Sequence, residues 1–371
     1  VLNLKGEVVG VVTSYLAEGQ NLNFAVASEQ VLLLKSSASA LPGTPSSSTE
    51  DELWNEIRAG YAYVVQGDYA KALPHLEAAT RVKPDDSIAW IPWFFRGYCC
   101  DELARYSDAV DAYKQAIRVK PDLANAHYNV GIAYVHLTRY SDAVDAFKQA
   151  IRIKPDLVEA HCNLGAAYDN LGRYSEAVDA FKQAIRIKPD SVEAHYNLGN
   201  TYGHLGRYSE AVDAYTQAIR IKPDYAEAHY NLGNTYDNLK LYSEAVDAYK
   251  QAIRVKPDLA EAHDGLGLAY GHLGRYSEAV DACKQAIRIK PDLANAYCNL
   301  GAAYAGLGRH SDAVDAFKQA IRIKPDLAQA HCQLGLTYLL LDDKASALDE
   351  YKILKNLDAG MADLLFNDIY R

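Results

Sequence analysis

One methionine stands among the 371 residues and it is not the first, so the chain reads as a stretch that begins inside a longer product, with no secretory leader at its start. Basic residues are in deficit: 38 Lys and Arg face 48 Asp and Glu, a net charge of -10 with a pI near 5.6. That balance argues against nucleic acid and against an anionic membrane surface as partners. Nor does any apolar run approach the roughly 20 residues of a membrane-spanning helix.

Against these absences stands a repeat. The prolines of a Lys-Pro-Asp tripeptide, Pro121, Pro155, Pro189, Pro223, Pro257, Pro291 and Pro325, follow one another every 34 residues, with Pro84 37 residues upstream. In the unit 192–225, His195, Leu198, Gly199 and Tyr202 fall on one face of a helix, and Gly206-Arg207 interrupts the pattern. Ala211, Tyr215 and Ala218 then line the inner face of a second helix. Ser209 is placed to cap that helix, Arg220 and Lys222 suit its C-terminal dipole, and Pro223 stops it. Asp224 with Glu227 reads as a capping box for the helix that follows.

This order and period resemble the tetratricopeptide repeat (TPR). The fold expected is all-α: a right-handed superhelical TPR solenoid of nine helix-turn-helix repeats plus a C-terminal capping helix, with a short N-terminal β segment. The divisions are a β-strand segment at 1–34, a Ser/Pro-rich linker at 35–52, nine repeats over 53–361 and a cap at 362–371. The repeats run 53–86, 90–123, 124–157, 158–191, 192–225, 226–259, 260–293, 294–327 and 328–361. Residues 1–34 resemble the C-terminal end of a trypsin-like serine protease domain of the high-temperature-requirement type, through LNLKGEVVGV and NFAVAS. The segment begins beyond the place of the nucleophilic serine, and the His and Asp of such a triad would lie farther upstream. No catalytic residue is assigned and no enzyme activity is expected.

Two places carry more apolar surface than the repeat needs. In the second repeat, Trp90, Phe94 and Phe95 crowd a helix on which they do not share one inward face, so either a local core under the insertion 87–89 or an exposed subunit contact is expected. Trp93 takes the large core position. In the last helix, Leu365, Phe366 and Ile369 exceed a single buried stripe and are candidates for a contact with another molecule.

The face of each first helix opposite the core lines a groove, at unit positions 2, 5, 6, 9, 12 and 13. Position 6 is Asn129, Asn163, Asn197, Asn231 and Asn299, broken by Gly265 and Gln333. The ladder is similar to that of the TPR superhelix of O-linked N-acetylglucosamine transferase, and that resemblance implies asparagines that bind peptide backbone. A carboxamide supplies donor and acceptor together and so pairs with a backbone amide; bonding within its own repeat is the alternative. Tyr128, Tyr196 and Tyr230 at position 5 and Glu159, Glu193, Glu227 and Glu261 at position 2 make the groove acidic and hydrogen-bonding, suited to an extended, neutral or basic peptide.

Metals and cofactors are not expected. His127, His161, His195, His229 and His263 recur once per repeat, about 10 Å apart, too far for a shared ion, and read as core or inter-helix residues. Cys298 and Cys332 are equivalent residues in adjacent repeats, beyond the ~7 Å Cα reach of a disulfide; Cys99 and Cys100 point apart; Cys283 takes an aromatic core position. Free thiols suit the cytoplasm while the protease-like start suits export, so the compartment stays open. Three functions follow: a scaffold that binds a protein or peptide in the groove, a self-assembling structural protein that forms homopolymeric filaments through its strands and solenoid ends, or the regulatory portion of a protease.

Overall fold

The computed structural model describes residues 48–82 and 88–370. The expected β segment and most of the linker lie outside them. Every regular element described is a helix, and the helices come in pairs: α1 (Ser48–Val65) with α2 (Tyr69–Arg81), α3 (Trp90–Glu102) with α4 (Tyr106–Val119), α5 (Ala124–His136) with α6 (Tyr140–Ile153), and α7 (Val158–Asn170) with α8 (Tyr174–Ile187). These belong to a first compact unit that ends at Pro189. The second unit, from Asp190, holds α9 (Val192–His204) with α10 (Tyr208–Ile221), α11 (Ala226–Asn238) with α12 (Tyr242–Val255), α13 (Ala260–His272) with α14 (Tyr276–Ile289), α15 (Ala294–Gly306) with α16 (His310–Ile323), α17 (Ala328–Leu340) with α18 (Lys344–Leu357), and the closing α19 (Ala359–Ile369). Within each unit every hairpin packs on the next.

Why a hairpin closes is clearest at the glycine eight residues into each first helix. A Cβ added to Gly131 would meet the Phe147 ring at 2.5 Å, one on Gly199 the Tyr215 ring at 2.7 Å, and one on Gly301 the Phe317 ring at 2.6 Å. In these repeats the missing side chain is the seat for an aromatic ring of the partner helix, while Gly60, Gly267 and Gly335 face Leu76, Cys283 and Leu365 instead. Phe147 and Phe317 are fully buried there, each contributing roughly 2–3 kcal/mol of transfer free energy at most. Ala143, Ala150, Ala313 and Ala320, all without exposure, let the helix axes come close on either side of the ring.

The turns differ from the capping scheme read in the sequence. The second helix opens at Tyr208, with Ser209 already inside it, and its N-cap is Arg207, which makes no side-chain cap bond. The first-turn acid pairs with that arginine instead, as Arg139 Nε does with Asp142 Oδ2 at 2.8 Å and Arg173 Nη2 with Glu176 Oε1 at 2.7 Å. The arginine also lies over the tyrosine eleven residues into the first helix, Arg139 on Tyr134 at 4.4 Å and Arg173 on Tyr168 at 4.6 Å. From the repeat before, Lys114 and Lys148 reach the same two rings at 5.4 and 5.5 Å. Each such tyrosine is therefore clamped between two cations, and one of them comes from a neighbouring hairpin. Nor does a capping box form at Asp224 and Glu227: the N-cap of α11 is Tyr225, without a side-chain cap bond.

At the ends, α1 starts at Ser48, so the last residues expected in the linker are helical. Ala359 replaces the helix-stopping proline, and the chain turns at once into α19, whose N-cap is Asp358, its Oδ1 accepting from Met361 N at 2.9 Å. That helix begins three residues before the expected 362.

Candidate functional site

The ladder asparagines anchor to the preceding hairpin. Asn163 Nδ2 donates to Tyr128 Oη at 2.8 Å and Asn231 Nδ2 to Tyr196 Oη at 3.1 Å. Where the seventh repeat carries Asp264 in the tyrosine's place, Asn299 Nδ2 donates to its Oδ1 at 2.8 Å. Asn129 is buried and donates to Tyr113 Oη at 3.3 Å. Asn197 is half-buried on α9. Positions 5 and 6 thus tie hairpins together in pairs, through Tyr128 and Asn163, Tyr196 and Asn231, and Asp264 and Asn299, a pairing that helical spacing alone does not reveal.

A second rung stands one turn along. Tyr215 Oη donates to Asn200 Oδ1 and Tyr249 Oη to Asn234 Oδ1, both at 2.7 Å, and Asn231 Nδ2 reaches Asn200 Oδ1 at 3.1 Å. Position 9 therefore joins the polar network in the fifth and sixth repeats, where it is Asn. At Gly265 the ladder breaks for a steric reason: a Cβ there would come within 2.6 Å of the Tyr249 ring. Tyr230 packs against that same ring, centroids 6.0 Å apart.

The groove is less acidic than the sequence suggests, through ion pairing at position 2 and through burial of its aspartates. Glu261 Oε1 pairs with Lys290 Nζ at 3.0 Å and Glu227 with Lys256 at 3.6 Å, so two of the position-2 acids are matched by the lysine before the repeat's proline. The Lys290 ammonium holds the Glu261 carboxyl below its ordinary value. Glu159 is half-buried and Glu193 exposed. Asp264, by contrast, is pushed up to about 6 by burial, against the pull of its bond with Asn299. Asp237, with a buried Oδ1 that has no hydrogen-bond partner, is raised by burial as well.

The position-4 histidines have a role in the chain's own turns. His161, His229 and His263 each bring Nε2 to the carbonyl oxygen of the proline six residues before, at 3.0 Å, where only an N–H can donate. No group of three or more His, Cys, Asp or Glu among the described residues is placed to hold a metal ion. The six cysteines are buried and none is in a disulfide, and burial pushes Cys99 and Cys298 up to about 12, which suppresses thiolate chemistry.

The aromatic cluster of the second repeat is not exposed. Trp90, Phe94 and Phe95 are all buried, because α3 is covered from both sides: Phe95 meets Tyr61 of α1 at 5.3 Å, and Phe94 meets Tyr113 of α4 at 5.5 Å. Trp93 is only half-buried, under Arg96. On α19, Leu365 and Ile369 are buried against the ninth repeat, with Leu365 seated at Gly335, while Phe366 remains 40% exposed. Five of the six side chains expected to offer a subunit contact are thus spent inside the chain. No helix described is long and apolar enough to cross a membrane.

Stacked hairpins, most of them closed on a glycine–aromatic seat, with polar bonds along their first helices, define a TPR solenoid. Residues 157–363 match the family model described as the Cilia and flagella-associated protein 70 C-terminal domain, and the chain belongs to that family of TPR domains. General TPR models match 57–100, 102–137 and 133–172. Over 82 residues the chain is 28% identical to the peroxisomal targeting signal receptor of Candida albicans; the match covers 22% of this chain and only 13% of that receptor. Among solved structures, the Cut9-Hcn1 hetero-tetramer of the APC/C is similar at 15% identity over 93% of this chain and 87% of that one, TM-score 0.51. A TPR protein from Parabacteroides merdae is similar at 17% identity over 68% of this chain and 99% of that one, TM-score 0.50. These two likenesses are of fold.

Proposed function

We propose that this chain is a non-catalytic interaction scaffold that receives an extended, neutral or basic segment of a partner protein along its first helices. The observation that carries the reading is the anchoring of Asn163, Asn231 and Asn299. Each amide nitrogen is tied to the hairpin before it, which fixes the plane of the carboxamide and leaves the carbonyl oxygen unspent in those bonds. Within each unit, acceptors oriented in this way suit backbone N–H groups and read no side chain. The receptor it resembles over one stretch is named for binding a targeting signal, in keeping with a peptide ligand here.

The test is capture of extended peptides from a random library by the full chain, repeated with Asn163→Ala, Asn231→Ala and Asn299→Ala. Loss of captured peptides with helicity retained supports the groove. Capture that is indifferent to all three substitutions refutes it.

Self-assembly is the second reading. What favours it is apolar exposure gathered near the C-terminal end, where Leu340, Leu364 and Tyr370 keep 62%, 64% and 60% of their surface. Light scattering at micromolar concentration separates the two, since a monomer excludes the filament.

A further inference from the structure

The ninth repeat buries a histidine–carboxylate pair inside its hairpin. At unit position 4, His331 is 3% exposed, and both of its ring nitrogens meet oxygen. Nε2 lies 2.9 Å from the Pro325 carbonyl oxygen and Nδ1 2.6 Å from Glu350 Oε2. A carbonyl only accepts, and so does an ionised carboxylate; facing both, the ring donates from both nitrogens, as an imidazolium does. His161, His229 and His263 make the first of these bonds and not the second, because position 23 of their repeats is Ala180, Ala248 and Ala282 where the ninth has Glu350. One N–H satisfies them, whereas His331 needs two.

Among the described residues no other side chain bonds or pairs with His331 or Glu350. Of the helices packed on α17, α15 carries no charged residue. On α16, Asp312 pairs with Arg309, Lys318 lies over Tyr338 at 5.7 Å, Asp315 and Arg322 are exposed, and His310 opens the helix at the end away from Pro325. On α18, Asp349 pairs with Lys352 at 2.7 Å, while Lys344 and Lys355 lie over Tyr370 and Tyr351. The charged residues of α19 are acids, Asp363 and Asp368, with Asp358 at its N-cap; after burial, Asp358 and Asp368 raise the Cys332 thiol next to His331. A His331 that loses its proton therefore leaves a buried carboxylate near further acids.

The pair also borders the C-terminal cap. A Cβ on Gly335 would meet Leu365 of α19 at 2.5 Å and Glu350 Cβ at 3.4 Å, so Glu350 stands beside the seat of Leu365. We propose that the His331–Glu350 pair is a proton-operated latch on the end of the solenoid. With its proton it holds α18 and the capping α19 on α17; as pH rises and the proton leaves, the cap loosens. The first repeat carries the pair in reverse, Glu56 at position 4 and His75 at position 23, 2.8 Å apart. Those side chains are 34% and 38% exposed, so water meets either charge and that hairpin has no such latch.

The experiment uses the full chain with nitrogen-15-labelled histidine, together with amide exchange between pH 6 and pH 9 expressed as protection factors, which remove the intrinsic pH dependence of exchange. The His331 ring is expected to carry hydrogen on both nitrogens at pH 7. Protection in α18 and α19 should fall as pH rises, by at most about tenfold per pH unit for one linked proton, while α13 and α14 keep theirs. Glu350→Gln can donate its amide to Nδ1 and needs no proton, so its α18 and α19 should hold level protection across the range. Glu350→Ala, with the residue of the middle repeats, serves the same comparison if Glu350→Gln does not fold. A bare ring nitrogen on His331 at pH 7 in the parent, protection in α18 and α19 that does not fall with pH, or an equal fall in the folded variant overturns the proposal.

Discussion

Replacing Gly301 by alanine tests whether the glycine–aromatic seat holds each hairpin together. The new Cβ would lie 2.6 Å from Phe317 Cε1, whereas ordinary contacts begin at 3.4 Å, so the ring has to retreat by the difference. Phe317 has little room to do so, being fully buried in a cluster with Leu300, Ala303, Val314 and Leu334. Overpacking of this kind costs about 1–3 kcal/mol, and alanine returns about 1 kcal/mol of helix propensity. The control is Gly271→Ala in the same unit, where nothing stands within 4 Å of the added atom and the propensity gain acts alone. Urea denaturation followed by circular dichroism should place Gly301→Ala below the parent by about 1 kcal/mol and Gly271→Ala at or slightly above it. Because repeat arrays can unfold in parts, amide exchange along α15 and α16 gives the local reading. A Gly301→Ala chain as stable as Gly271→Ala would refute the seat.

Three further predictions follow from the repeat's irregularities. Tyr236 lacks both cations of its clamp, since Thr216 and Leu241 stand where other repeats carry Lys and Arg; Thr216→Lys with Leu241→Arg should raise the melting temperature by about 2 °C, and no rise would count against the clamp. Lys240 takes φ +61° at a position where Gly206 and Gly274 serve elsewhere, so Lys240→Gly should stabilise by about 1 kcal/mol in the same denaturation assay. Asp264 has a folded-state pKa raised to about 6 from 3.8, so the folded chain binds more protons between those values and loses stability as pH rises through them. Asp264→Asn should therefore gain on the parent at pH 7 and not at pH 4, and an equal gain at both would show that the carboxyl charge is not the cause.

The fold is legible in the sequence because the residues that make it recur at 34 and act locally. Gly199, Tyr215 and Pro223 each do in the structure what their spacing implies: a seat, a ring in it, and a stop after Ile221. The capping signals mislead because they, too, are read one helix at a time. Ser209 and Asp224 are good caps by residue type, but Arg207 already holds the first-turn acid Glu210, and the entry to α11 is taken up by Tyr225.

The site is legible only as a face. Helical spacing puts Asn163 and Asn231 on the correct side of their helices, yet it says nothing of a bond 35 residues back to Tyr128 or Tyr196, which depends on how one hairpin is rotated on the last. The same gap explains Trp90, Phe94 and Phe95. A single helix does not bury three such neighbours on one face, but α3 has helices on two sides, and burial then follows from stacking that no one-helix argument contains. Asp101 is the converse case. Read alone it is one more acid at a groove position; only the structure shows it buried, with an oxygen that finds no partner. In a repeat protein the informative residue is the one whose neighbours in the next repeat have changed with it, and those pairs become visible when the hairpins are set side by side.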